Sequence, residues 1–221
     1  MPILISIDRA KKRQERIAKQ NIECNLVKYP VDGNALDNAK TFLSPRAFYD
    51  FDKRKIDHRT ITSLGAIGCY LSHRNAWKEI IENNKPDLII EDDITVESED
   101  YKKFIKDWIC CQHNKPRIMW MQYGFLNRNP NLYWGTGAYI INPRAAKILY
   151  KNSLPIDIQV DSYMHLMIKK LNWDLELCDK LFFTQYETYS GPFKSLCQES
   201  NKNLQFNKYL KLNPPTSGGE N

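Results

Sequence analysis

The chain has no Cys-x-x-Cys pair among its six cysteines (Cys24, Cys69, Cys110, Cys111, Cys178 and Cys197), and its four histidines form no Cys/His cluster with them. That argues against a structural zinc site and leaves reduced thiols as the expectation, with Cys110-Cys111 read as small buried hydrophobes rather than a metal or redox pair. No apolar run approaches the roughly 20 residues that a membrane-spanning helix needs. The opening MPILISIDRA turns charged too early for a secretory leader, so the expected location is the cytoplasm. Also missing are the phosphate loop G-x-x-x-x-G-K-[ST], a G-x-G-x-x-G after a strand, and the G-x-S-x-G elbow. Gly135-Thr136-Gly137 supplies only the first part of the second.

What remains is an ordinary globular composition: 221 residues, 42% hydrophobic, 12% aromatic and 26% charged. This suffices for one domain with a full core. That domain is expected over 1–200, with 201–221 a polar extension whose last residues, Ser217-Gly218-Gly219-Glu220-Asn221, resemble a tag linker. The 32 basic and 26 acidic side chains give +6. Charge this scattered, dense only over Arg9–Arg16, suits nucleic acid, anionic lipid or a small anion and selects none of them. The basic run lacks the interleaved rings of a single-strand RNA reader, so nucleic acid is disfavoured as a partner.

Local signals alternate between strand and helix. Ile3–Ile7 reads as a buried strand, Asp8 as a helix cap, Arg9–Gln20 as a helix, and Asn25–Tyr29 as a second strand ending at the turn Pro30-Val31-Asp32-Gly33. This is a βαβ unit, which favours a parallel sheet. Residues 34–60 are weakly patterned and read as an irregular or short-helical insertion. Ser63 caps a helix to about Glu82, with Tyr70, His73, Trp77, Ile80 and Ile81 on one face. Asp87–Ile90 reads as a central strand, Tyr101–Cys111 as a helix, and Arg117–Gln122 and Trp134–Ile141 as strands. Asn142-Pro143 opens a helix to about Lys151. Asp157 is placed to cap a further helix carrying Val160, Met164, Met167, Ile168 and Leu171, and Asp174–Thr184 closes the pattern as strand. The fold class is therefore α/β, a mostly parallel twisted sheet flanked by helices.

Chemistry concentrates at Glu91-Asp92-Asp93, where the apolar strand ends. Adjacent carboxylates beside a buried strand repel one another and lose hydration, and a divalent cation relieves both costs. Oxygen donors suit Mn2+ or Mg2+. If the extended chain continues, Glu91 and Asp93 share one side and are the joint metal candidates, while Asp92 points opposite, toward a ribose or a cationic side chain. The competing reading is a solvated acidic turn. Gly65 and Gly68, at the start of the Ser63 helix, permit either close backbone packing or phosphate binding at free N–H groups. His73 is either a hydrogen-bonded core residue or a ligand. Asp161 and His165 lie one turn apart, as a surface pair or as a general base with its partner.

Taken in order, Ile5-Ser6-Ile7-Asp8-Arg9 with Arg13 and Arg16, Tyr29-Pro30-Val31-Asp32-Gly33, Leu64-Gly65-Ala66-Ile67-Gly68-Cys69-Tyr70-Leu71-Ser72-His73, Ile89-Ile90-Glu91-Asp92-Asp93, Gly135-Thr136-Gly137-Ala138-Tyr139 and Pro155-Ile156-Asp157 resemble the family 25 glycosyltransferases. That group includes lipooligosaccharide and collagen hydroxylysine galactosyltransferases. The resemblance implies a GT-A-like fold, a UDP-sugar donor, a DxD-like metal site at Glu91-Asp92-Asp93, and transfer with inversion. It sets the Ser6–Arg9 segment, Asp8 included, where the first strand meets the nucleotide. The expected donor-binding residues are thus Ser6, Asp8, Arg9, Arg13, Ser72, His73 and Asp92, with Glu91 and Asp93 on the metal. Asp161 is the chosen catalytic base on its own position, since the resemblance does not fix one. The expected acceptor is a glycan, a lipid-linked sugar or a protein. The rival function is a module that binds a nucleotide sugar or RNA without turnover.

Overall fold

The apolar runs place the strands, and their two-residue period sorts the layers. A computed structural model describes residues 1–53, 59–111, 114–123, 135–173 and 176–185. Strands β1 (Ile3–Ile5), β2 (Asn25–Leu26), β3 (Asp87–Glu91), β5 (Ile118–Trp120), β7 (Ala138–Ile141) and β8 (Glu176–Leu177) form one sheet in the order β2-β1-β3-β7-β5-β8. All run the same way except β7, which lies antiparallel between β3 and β5. The expected mostly parallel α/β sheet is therefore present. Its first connection is the β1–α1–β2 unit, with α1 at Lys11–Lys19. A smaller sheet, β4-β9-β6, joins Thr95–Val96, Phe183–Thr184 and Gln122–Tyr123.

Both faces of the large sheet are covered, which is why its central strands are apolar at every position rather than alternately. Ile3, Ile5, Ile89, Tyr139 and Ile141 pack with α3 (Leu64–Asn83), α5 (Pro143–Asn152) and α6 (Val160–Lys170). Leu4, Leu88, Ile90 and Ile140 face the other way, against Ile17 of α1 and Tyr101 and Trp108 of α4 (Tyr101–Cys110). Among the described residues no helix is long and apolar enough to cross a membrane.

Caps decide several boundaries. Ser63 accepts from the Ala66 N–H and Asn142 from the Ala145 N–H, as their sequence positions predict. Two acidic caps fail. α1 starts at Lys11 after Ala10, leaving Asp8 exposed and outside the helix. α6 starts after Gln159, and Asp157 instead accepts from Ser44 Oγ at 2.5 Å. Ser44 itself caps α2 (Pro45–Asp52), which with the short 3-10 turns Gly33–Ala35 and Ala39–Phe42 makes the weakly patterned 34–60 stretch short-helical in its described part. Cys110 and Cys111 are exposed rather than buried, because α4 ends there after spending its apolar face on Tyr101 and Trp108. Trp134, Asp174 and the 201–221 extension lie outside the described residues.

The glycine at position 68 has a packing explanation. A Cβ there would sit 2.4 Å from Gly33 N and 2.6 Å from Val31 O, and one on Gly33 would sit 1.7 Å from Leu64 O. The Val31–Gly33 turn thus rests directly on the first turns of α3, and Ser72 Oγ accepts the Val31 N–H at 2.9 Å. Gly68→Ala must push backbone against backbone. We expect it to destabilise the fold by about 1–3 kcal/mol, read by urea denaturation.

Candidate active site

Strand ends converge on one edge of the large sheet. Ile5 pairs with Glu91, so the residue after β1, Ser6, stands beside the acidic triplet. Because β7 runs antiparallel, its entry residues Thr136 and Gly137 reach the same edge, where the Gly137 carbonyl accepts the Glu91 N–H at 2.8 Å. An open cleft there is lined by Ser6, Arg9, Arg13, Asp32, Ser72 and the three carboxylates. Carboxyl ends of parallel strands are where open α/β sheets bind ligands.

The side alternation expected for the triplet ends with the strand. β3 stops at Glu91, and Asp92 and Asp93 lie in the turn after it, so all three carboxylates reach the cleft. Each has a different environment. Asp92 accepts from Ser6 Oγ at 2.6 Å and from the Arg13 guanidinium at 2.8 Å, one bond per oxygen. Arg13 comes within 3.9 Å of the outer oxygen of Asp93, whose other oxygen accepts from Gln185 at 2.6 Å. Gln185 is held in turn by Gln122, and Gln122 by the Gly137 N–H. Glu91 accepts at one oxygen, Oε1, from Thr136 Oγ1 at 2.6 Å and His73 Nε2 at 3.1 Å.

His73 is wholly buried behind Glu91 and does not line the cleft. The Trp77 indole N–H donates to the Tyr139 phenol oxygen, and that phenol lies 2.9 Å from His73 Nδ1. Every donor finds an acceptor if the phenol O–H gives to Nδ1 and Nε2–H gives to Glu91. The chain Trp77, Tyr139, His73, Glu91 thus runs in one direction and fixes the carboxylate. Tyr139→Phe strands an indole N–H and a ring nitrogen in the core at once. We expect a loss of about 1–3 kcal/mol in chemical denaturation.

The electrostatics follow from burial. Desolvation raises the Asp93 carboxyl, and the neighbouring Glu91 and Asp92 charges raise it further; Arg13 and Gln185 oppose them, and it is pushed up to about 7. Desolvation also lifts Asp92 against the pull of Arg13 and Ser6. For Glu91, burial acts upward but is outweighed by the His73 and Thr136 hydrogen bonds and the Arg13 charge, so its carboxyl lies below the ordinary range. Three carboxylates facing one guanidinium leave a surplus of two negative charges when all are ionised, a surplus that the raised Asp93 carboxyl partly gives up by holding a proton near neutral pH. Among the described residues, hydrogen bonding spends both oxygens of Asp92 but one each of Glu91 and Asp93. The remaining pair, Glu91 Oε2 and Asp93 Oδ2, is an all-oxygen donor set that suits a hard divalent cation and matches its charge.

Of the other expected residues, Arg9 stands at the cleft mouth in an ion pair with Asp32, whose carboxyl that arginine holds low. Ser72 lines the cleft but gives its oxygen to the Val31 N–H. Asp161 lies at the start of α6 and accepts from the backbone N–H groups of Ser162 (2.6 Å) and Gly135 (3.3 Å), with Gly135 at a φ of +105°. Burial raises its carboxyl, and the Glu91 charge adds to that. Sequence reasoning missed Thr136, Gln122, Gln185 and Tyr139. The Gly135-Thr136-Gly137-Ala138-Tyr139 run carried part of that signal, since it belongs to the family resemblance, but neither Thr136 nor Tyr139 was given a role from it. It also missed the Cys69-x-x-x-His73 spacing on α3.

The family described as "Glycosyltransferase family 25 (LPS biosynthesis protein)" matches residues 1–164. Human "Procollagen galactosyltransferase 2" is 28% identical over 189 residues, covering 76% of this chain and 30% of that protein. An Anopheles gambiae "Glycosyltransferase 25 family member" is 25% identical over 190 residues, covering 74% and 31%. The match thus spans about a third of the length of these relatives. It includes β1, α3, β3 and the acidic triplet, and its 1–164 span holds every cleft-lining residue named above, while Gln185, which supports Asp93, lies beyond it. On that extent the chain belongs to glycosyltransferase family 25.

Proposed function

We propose that this chain is a metal-dependent, inverting glycosyltransferase that moves a hexose, galactose or glucose, from a UDP-sugar to an acceptor hydroxyl on a glycan, a lipid-linked sugar or a protein. The observation that carries this reading is the carboxylate triplet answered by the single Arg13 guanidinium, set where a mostly parallel sheet presents its carboxyl ends to a cleft. The names of the similar galactosyltransferases support the sugar class. Mn2+ or Mg2+ bound there would neutralise charge on the departing diphosphate. Glu91 and Asp93 would hold the ion through the oxygens that hydrogen bonding leaves over. Arg13, anchored on Asp92, keeps the triplet's geometry, and Arg9 brings a second guanidinium to the mouth where phosphates enter. Asp161 would take the proton from the acceptor hydroxyl as it attacks the anomeric carbon.

UDP release from UDP-galactose and UDP-glucose, with manganese or with chelator, tests the reading. Manganese-dependent release is expected. No release together with no UDP binding by calorimetry would overturn it, and steeply salt-dependent RNA binding would favour the rival module. For the base, Asp161→Asn is expected to lower kcat by about a hundredfold while UDP affinity stays unchanged. Burial raises the Asp161 carboxyl, and a base works only when ionised. The acidic limb of the wild-type kcat profile should therefore lie above the ordinary aspartate range and disappear in the variant. An unchanged limb would move the role elsewhere.

A further inference from the structure

The geometry points to a second metal site behind the first, formed by Cys69, His73 and Glu91 and selective for thiophilic ions such as zinc. Sulfur, ring nitrogen and carboxylate oxygen of these three residues all lie within 4.8 Å of one another. Four-coordinate zinc holds such ligands roughly 3–4 Å apart, so small side-chain adjustments suffice. Cys69 and His73 are one turn apart on α3 and share a face, and Glu91 meets them from the end of β3. Cys69 and Glu91 both line the cleft, so a fourth position is open to water or an incoming ligand.

The donor set differs in kind from the outer site. Thiolate and imidazole prefer zinc, cobalt or cadmium, whereas Glu91 Oε2 with Asp93 offers oxygen alone. The surroundings also supply what a metal-bound histidine needs, a partner on its second nitrogen. Tyr139 lies 2.9 Å from Nδ1, and a hydroxyl can accept there as well as donate. On binding, the Cys69 thiol proton leaves to solvent. The Nε2 proton is exchanged for one on Nδ1, where Tyr139 now accepts it, and the His73–Glu91 hydrogen bond is replaced by two bonds to the metal. The phenol proton loses its acceptor in the process, which tempers the affinity and makes the site reversible.

Glu91 meets the inner site with Oε1 and the outer with Oε2, so two ions bound together would be two dications joined by one carboxylate, repelling each other and sharing its charge. Zinc in the inner site therefore weakens the outer ion and inhibits turnover, a consequence that rests on the proposed function. Binding itself does not. The test uses the full chain, chelator-stripped, in a C110S/C111S background to remove the exposed adjacent thiols, and titrates cobalt(II) at neutral pH. One equivalent should give the intense visible bands of four-coordinate cobalt and a thiolate charge-transfer band in the near ultraviolet. C69S and C69A should lose the charge-transfer band with unchanged circular dichroism, and zinc should displace the cobalt. Charge transfer that persists in both variants, or none in the parent, overturns the site whether or not the chain shows any turnover. In the UDP-release assay, each protein scaled to its own rate, C69S should raise the zinc needed for half inhibition by at least about tenfold. Equal sensitivity would overturn the inhibitory role.

Discussion

Asp93→Asn is expected to remove manganese-supported UDP release, lowering kcat/KM by about a thousandfold or more, and at the same time to stabilise the metal-free protein above neutral pH. The first effect is the loss of several kcal/mol of charge stabilisation on the leaving diphosphate, since asparagine keeps the shape but not the charge that holds a cation. The second has its sign fixed by the ionisation. Burial, then the Glu91 and Asp92 charges, push the Asp93 carboxyl up to about 7, while in the unfolded chain it titrates near 4. Its contribution is thus complete in acid and is lost as pH climbs through that window, each tenfold displacement of the ionisation costing about 1.4 kcal/mol. Asparagine has nothing to ionise. Urea denaturation in chelator at pH 5 and pH 8 should show the variant gaining on wild type at the higher pH. Stability given up for function is the mark of a site rather than a scaffold. A variant that keeps metal-stimulated release would remove Asp93 from the metal. One that loses release and is also weaker at pH 8 would make Asp93 a structural group.

The parts of the fold that were legible are those governed by neighbours in sequence. Ser63 before α3, Asn142-Pro143 before α5, and the run from Leu88 to Ile90 ending on charge each carry their cause within a few residues. The site was legible in outline for the same reason, because three carboxylates at a strand end announce an electrostatic problem by themselves. Which oxygen solves it is a long-range matter. Asp92 is answered by Ser6, 86 residues away, and Asp93 by Gln185, 92 away. Asp92 does meet a cationic side chain, Arg13, as expected, but within the same cleft as its neighbours, because alternation holds only inside a strand and β3 ends one residue earlier. Asp157 looked like a cap because caps are local, but Ser44, 113 residues distant, took its carboxylate. Gly68 and Ser72 sit in a motif that suggests ligand contact, yet both hold the Val31–Gly33 turn against α3. Binding residues and their packing supports share one short segment, and only the partners separate them.

Arg13→Met should be the most destabilising of the substitutions considered, by about 3–5 kcal/mol at neutral pH, although it keeps most of the side chain's volume. Arg13 is 7% exposed, its head is hydrogen-bonded to Asp92 and it faces Asp93 as well. Without it, buried carboxylates lose the charge that offsets their repulsion and desolvation, and leaving one partner of a buried pair uncompensated is what makes such a change severe. Three further outcomes separate this cause from lost packing. The deficit should shrink at pH 5, where protonation discharges carboxylates that burial has already raised. Arg13→Met combined with Asp92→Asn should recover part of the loss, a non-additivity expected only of groups in direct contact. Manganese should restore more stability to the variant than to wild type, because a bound cation stabilises the fold by mass action and here also supplies the missing positive charge. Were the deficit constant across pH, additive with Asp92→Asn and indifferent to manganese, Arg13 would be acting through its hydrocarbon stem, and the cleft would not hold the surplus of negative charge on which cation binding depends.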